Sequence, residues 1–163
     1  MPLIRDGQPG VDPYTDVPDD TPLPTGGAVI VSLARLADAR EQVFGRNDPV
    51  GVVLRSHESP MQIAPDDLKR LSLVVLEFPK FRDGRGFSWA RILRTRLSFT
   101  GELRARGNFL RDQLFFMIRC GVNSFAGDAR ITPEAVRAAL ATFAHVYQPA
   151  ADGRPSILDA RHG

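Results

Sequence analysis

The chain has 163 residues, enough for one well-packed core and short for two, with the 43% apolar and 25% charged residues of an ordinary globular domain. Its single cysteine, Cys120, excludes an internal disulfide framework and a four-thiolate zinc or iron–sulfur site supplied by one chain, and fits a reducing cytosol. The formal net charge is only +2, with a pI of about 9.1, so any basic character that matters must be regional.

Residues 1–27 hold six of the thirteen prolines, several aspartates and the closing pair Gly26-Gly27. "VDPYTDVPDDTPLPTGG" has no sustained apolar period and reads as an extended or poorly ordered N-terminal arm. Its apolar residues Leu3, Ile4, Val11, Tyr14 and Val17 offer anchors on the body or on a second subunit, so a homodimer is an open alternative. "MPLIRDGQPG" has proline and aspartate where a signal peptide needs a basic start and an apolar stretch. With no apolar run of 18 residues, neither an export address nor a membrane span is expected, and the location read from the chain is cytoplasmic.

From residue 28 to 148 apolar runs alternate with helical patterns in what reads as a single α/β domain. "AVIVSL" (28–33) is the first strand, and "ARLADAREQVF" (34–44) spaces Leu36, Ala39, Val43 and Phe44 at helical intervals. "VGVVLR" (50–55) is the second strand, and Pro65 starts the short helix "PDDLKRLS" with acids in its first turn. "LSLVVLEF" (71–78) is the third strand. "SWARILRTRL" (88–97) reads as a helix capped by Ser88. "GELRARG" (101–107) is a fourth strand, "FLRDQLFFMIRCG" (109–121) a helix capped by Asn108 and stopped by Gly121, and "VNSFAG" (122–127) a fifth strand. "TPEAVRAALATFAHVY" (132–147) is an amphipathic helix with Thr132 as cap. Residues 149–163 form an open tail. About five βα units imply a mostly parallel sheet flanked by helices, either doubly wound or a half-barrel-like array. In both, a site belongs at the carboxyl ends of the strands.

The loop after the third strand, "PKFRDGRG", therefore attracts notice. Nine lysines and arginines lie between Lys80 and Asp112, against Asp83, Glu102 and Asp112 alone. Gly84 and Gly86 permit close backbone approach, and the following helix offers free N–H groups. Arg85, Gly86, Ser88, Arg91 and Arg94 make a candidate cradle for an oxyanion or an anionic metabolite, because the arginine fork gives paired hydrogen bonds. "GRGFSW" fails the dinucleotide fingerprint, since Trp89 stands at its third glycine, and it lacks the lysine–hydroxyl pair of a Walker loop. No cofactor is implied.

As acid or base the candidates are Glu77, at the end of the third strand, Glu102, at the start of the fourth, and Asp112 near the start of the following helix. Cys120, just before a helix-stopping glycine, reads as a structural thiol. His57, His145 and His162 show no metal-ligand spacing, so no metal site is expected. The modest net charge and poor interleaving of aromatic with basic residues argue against nucleic acid as a partner.

The pieces "FPKF.DGRGFS.AR.LR", "F.GELRA.G", "L.DQ.FF" and "RCG", within Phe78–Phe125, resemble a proteobacterial family catalogued as a domain of unknown function. Members are described as probable oxidoreductases of sulfite reduction, because their genes tend to lie beside that of the sulfite or nitrite reductase haemoprotein. Asn108 and Asn123 depart from the family's pattern, in which aspartate is usual at both positions. The resemblance implies an accessory role in assimilatory sulfite reduction, with the reductase as partner. One cysteine and no nucleotide fingerprint give the oxidoreductase description no support from the residues. The alternative is a small enzyme that holds an anionic metabolite on Arg85, Arg91 and Arg94, with Glu77 or Glu102 as base.

Overall fold

A computed structural model describes residues 3–142, 150–154 and 156. Five βα units follow one another: β4 (Ala28–Ser32) with α1 (Leu33–Asp38) and α2 (Arg40–Phe44), β5 (Val50–Leu54) with α3 (Pro65–Arg70), β6 (Leu73–Phe78) with α4 (Arg85–Thr95), β7 (Glu102–Gly107) with α5 (Leu114–Arg119), and β8 (Ser124–Ala126) with α6 (Pro133–Ala141). Three short strands precede them: β1 (Leu3–Arg5), β2 (Gln8–Gly10) and β3 (Tyr14–Asp16). Residues 143–147 of the last expected helix, and most of the tail, lie outside the described residues.

The sheet order is β2-β1-β8-β7-β6-β5-β4-β3, with β4 to β8 parallel and in chain order. An order without reversal has no switch point, so of the two arrangements expected the half-barrel holds and the doubly wound sheet does not. Successive right-handed crossovers then put every helix on one face. That face buries Val29, Val31, Val52, Leu54, Val74, Leu76, Leu103, Ala105 and Phe125 against the helices.

The N-terminal arm fixes the curvature. β2 and β3 are the two edge strands, which in a flat eight-stranded sheet would lie roughly 34 Å apart. Only Val11, Asp12 and Pro13 join them, and four Cα steps reach at most about 14 Å. The sheet must therefore curl until its edges approach, with the arm bridging the gap. Leu3, Ile4 and Val17 are buried anchors, while Val11 on the crossing is 89% exposed.

Local departures from the expected elements have identifiable causes. The helix expected over 34–44 breaks at Ala39, whose φ/ψ of −120/32 is not helical. α4 begins at Arg85, three residues early, so Ser88 is inside the helix and caps nothing. Asn108 is not a cap either: a 3₁₀ turn, Arg111–Gln113, precedes α5, and Asn108 bonds to the neighbouring loop. Thr132 caps α6 as expected, accepting from the Ala135 amide. Gly121 ends α5 at φ +98, where a β-carbon would be strained and would also meet the Arg94 side chain.

Candidate functional site

The loops at the carboxyl ends of β6 and β7 are wired together by hydrogen bonds. The Asn108 amide donates to the Phe78 carbonyl (2.7 Å), and its side-chain Nδ2 donates to the Pro79 carbonyl (3.2 Å). Gln113 accepts from the Leu110 amide and donates to the Phe81 carbonyl, both at 2.9 Å. Beneath these loops Phe78 meets Phe87 and Phe109 edge-on, at 5.7 and 6.0 Å between centroids. A rigid aromatic floor thus carries the "FPKF" loop.

The anion cradle expected at "DGRG" holds an anion supplied by the chain itself. Asp83 accepts from the Arg85 amide (3.3 Å), from its Nε (2.9 Å) and from its Nη2 (2.7 Å), and Arg85 also reaches the Ser56 hydroxyl. These bonds from Arg85 hold the Asp83 carboxyl well below the usual carboxylate range. Gly84 has an ordinary φ of −79 and open space around it, whereas Gly86 is buried with its Cα against Phe78. One glycine serves neither packing nor a special backbone; the other serves packing.

A carboxyl whose pKa is lowered by folding contributes stability above its unfolded value, about 4, and that contribution is lost as pH falls through the folded value. Asp83→Asn is therefore expected to lower stability at neutral pH and to flatten the acid limb of the stability profile below about pH 4. Chemical denaturation at several pH values measures both.

The remaining cradle residues do not converge. Ser88 and Arg91 are exposed on α4. Arg94 lies nine residues beyond Arg85, about 13 Å along the helix axis. It turns toward the amino ends of the strands, donating to the carbonyls of Phe99 (2.6 Å), Gly101 (2.9 Å) and Gly121 (3.0 Å) and to Asn123 Oδ1 (3.4 Å). Burial lowers its pKa, although the surrounding oxygens keep it a clamp. Asn123 Oδ1 also accepts from the Leu103 amide (2.9 Å), a bond that an aspartate there would make equally well. Asn108 Nδ2, by contrast, is a donor that aspartate lacks.

The carboxylate candidates separate too. Parallel strands put the end of one and the start of the next at opposite ends of the strands, so Glu77 and Glu102 do not face each other. Glu77 is opposite Arg106 and Glu102 opposite Leu73, a stagger of four residues, or about 13 Å. Glu77 pairs with Arg106 (3.1 Å), and Glu102 lies between Arg5 (2.6 Å) and Arg104 (2.8 Å). Asp112 is exposed beside the mouth. Burial raises the pKa of the half-buried Cys120 thiol, against the pull of Arg91 and Arg119. Among the described residues no group of three His, Cys, Asp or Glu could hold a metal, and no helix is long and apolar enough to cross a membrane.

What the carboxyl ends do present is a cleft of about 610 Å³ between the loops after β6 and β7, lined by Lys80, Phe81, Arg82, Asn108, Leu110 and Arg130. No acidic side chain is among its described lining. Lys80, Arg82 and the nearby Arg111 have no carboxylate partner among the described residues, whereas Arg130 is held by Asp128. Leu110 and Arg130 continue the cleft into a groove between α5 and α6, edged by Phe116 and floored by Ala135 and Ala139. Phe81 and Phe116 are 46% and 60% exposed, large apolar side chains among basic ones. Lys80, Arg82 and Phe81 are not among the residues expected for the cradle, whose arginines lie on α4. The run "PKFR" immediately after an apolar strand was the available signal.

No curated protein matches the chain. A family model described as bacterial protein of unknown function (DUF934) matches residues 51–158, from β5 through α6 and into the tail, including the loops after β6 and β7 that line the cleft. By that match the chain belongs to this bacterial family of unknown function.

Proposed function

We propose that the chain is a cytosolic accessory protein of assimilatory sulfite reduction, and that it docks an acidic surface of the sulfite or nitrite reductase haemoprotein at its half-barrel mouth. The setting comes from the family resemblance. The observation that carries the docking is the cleft itself, with Lys80 and Arg82 unpaired beside the exposed Phe81 and no carboxylate in the lining. Basic side chains around exposed aromatics are interface composition, and a lone arginine or lysine left without a counter-ion favours an acidic group brought by the partner. The same cleft accepts a free oxyanion in the partner's absence, since the chemistry recognised is a negatively charged oxygen.

The test is capture of purified reductase by the purified chain at low and moderate salt. Lys80→Glu with Arg82→Glu is expected to weaken capture at least about tenfold, with folding intact because both side chains are exposed. Salt should weaken capture by the unsubstituted chain in the same direction. Capture unchanged by the double reversal overturns the cleft as the docking site. No capture at low salt overturns the accessory reading.

A further inference from the structure

The inner face of the half-barrel carries a second charged array, separate from the mouth. Glu102, Arg104 and Arg106 alternate along β7 and so share that face, with Leu73, Val75 and Glu77 opposite them on β6. Arg5 and Ser124 lie alongside through β1 and β8. Arg104 is 1% exposed. Each of the two β7 arginines has one carboxylate from the sheet and one from the N-terminal arm. Arg104 binds Glu102 (2.8 Å) and Asp12 (2.6 Å), and Arg106 binds Glu77 (3.1 Å) and Asp16 (2.7 Å). Between the two arm carboxylates, Tyr14 lies against the Arg104 guanidinium, 5.6 Å from its ring centre, and packs on Ile30, Leu73 and Val75.

Three observations mark this contact as a site with an occupant. First, without the strap residues 12–16 this face carries Arg5, Arg104 and Arg106 against Glu77 and Glu102, one negative charge short. Second, the strap over the arginines is lightly held. Its crossing residues make no strand, β3 pairs with β4 over three residues, and Asp16 is 60% exposed. Its buried anchors, Ile4 and Val17, lie outside the segment that covers the arginines. Third, two buried polar atoms on this face, Ser124 Oγ and Arg5 Nε, have no hydrogen-bond partner, although Ser124 is fully buried. Both lie in register with Arg104, and both are donors that residues 12–16 leave unsatisfied.

We propose that the inner face over Arg104 and Arg106 is a docking groove for an extended acidic segment of a partner protein, with residues 12–16 of the chain as its resting occupant. The occupant defines the ligand. It is an extended stretch with two carboxylates four residues apart and an aromatic ring between them. It adds to the free edge of β4 by main-chain bonds while its acids engage the two arginine forks. Because both ends of the strap stay anchored, it competes intramolecularly, and a partner segment binds only when the strap lifts. This groove is distinct from the mouth cleft and does not depend on it.

The probe is a fluorescent peptide of the strap's own sequence, "VDPYTDV", titrated by anisotropy into the full chain at low salt. Asp12→Asn with Asp16→Asn is expected to raise peptide affinity at least about tenfold over the unsubstituted chain, by weakening the resident competitor. Adding Arg106→Gln, or replacing both aspartates of the peptide by asparagine, is expected to abolish the gain. The single variant Asp16→Asn leaves the Arg104–Asp12 pair in place and should bind with intermediate affinity, which keeps the test open if the double variant folds poorly. Equal affinity in all folded variants overturns the proposal, as does a gain that survives Arg106→Gln. Dimerisation of the double variant by light scattering, with no peptide binding, would assign the groove to arm exchange between two copies and overturns it equally.

Discussion

Replacing Arg104 by methionine is expected to cost the fold about 3 kcal/mol, the lower end of the range for removing one partner of a buried ion pair. The side chain is 1% exposed and uses its whole fork: Nε and Nη2 on Glu102, Nη1 on Asp12. Without it Glu102 keeps Arg5, and Asp12 turns to water, so the loss is less than for a carboxylate stranded alone. Arg104→Lys should recover only part of the stability, because a single ammonium cannot meet two carboxylates on separate segments in paired geometry. Glu102→Gln added to Arg104→Met should recover little, because Glu102 is still compensated by Arg5, which the second change deprives of its ion pair. Arg106→Met makes the comparison: its partners Glu77 and Asp16 both reach solvent, and its loss should be about 1 kcal/mol or less. Urea unfolding of the four variants measures the order. Arg104→Met no worse than Arg106→Met would show that the inner face is wet and that the strap does not seal it.

The same residues show what could be read from the chain and what could not. β4 to β8 were legible because each is a strand-length run between turn signals, and five units in about 120 residues leave few architectures. The choice between them was not legible, since strand order is set by which crossover packs beside which, and no local pattern records it. α4 was placed three residues late because Ser88 has the chemistry of a cap; the first turn is instead held by Asp83, two residues before Arg85, through the arginine side chain. Glu77 and Glu102 are alike as candidates by residue type, yet the parallel direction expected for β6 and β7 already puts them at opposite ends of the two strands. Arg94 and Arg91 look alike in the sequence. One is a half-buried clamp on three carbonyls and the other is exposed, a difference made only when the turns before β7 and β8 fold over the end of α4. The arm was legible as extended and acidic. Its strands are three residues long and contain or adjoin proline, which is too short for any period to register.

Gly86→Ala separates the two accounts of the "DGRG" loop, and its expected result is a loss of about 1–3 kcal/mol from overpacking. In a helix the change would ordinarily gain about 1 kcal/mol. Here the new β-carbon would overlap Cζ of Phe78 and stand 2.6 Å from its Cε1. The ring cannot retreat, because Phe87 and Phe109 hold its edges and Phe78 is buried at the end of β6. The first turn of α4 must back away, and it carries the Asp83–Arg85 latch and the loop with Lys80 and Arg82. Stability and cleft-dependent capture should therefore fall together. Gly84→Ala, with open space around it and an ordinary φ, should change stability by no more than about 0.5 kcal/mol. Phe78→Leu combined with Gly86→Ala should restore part of the loss, since the smaller side chain relieves the contact that causes it. A glycine kept for close approach of a ligand would behave the other way: alanine would leave the unfolding midpoint in place and remove binding alone. That outcome would return the anion to the helix N-terminus and displace Asp83 as the group the loop was built to hold.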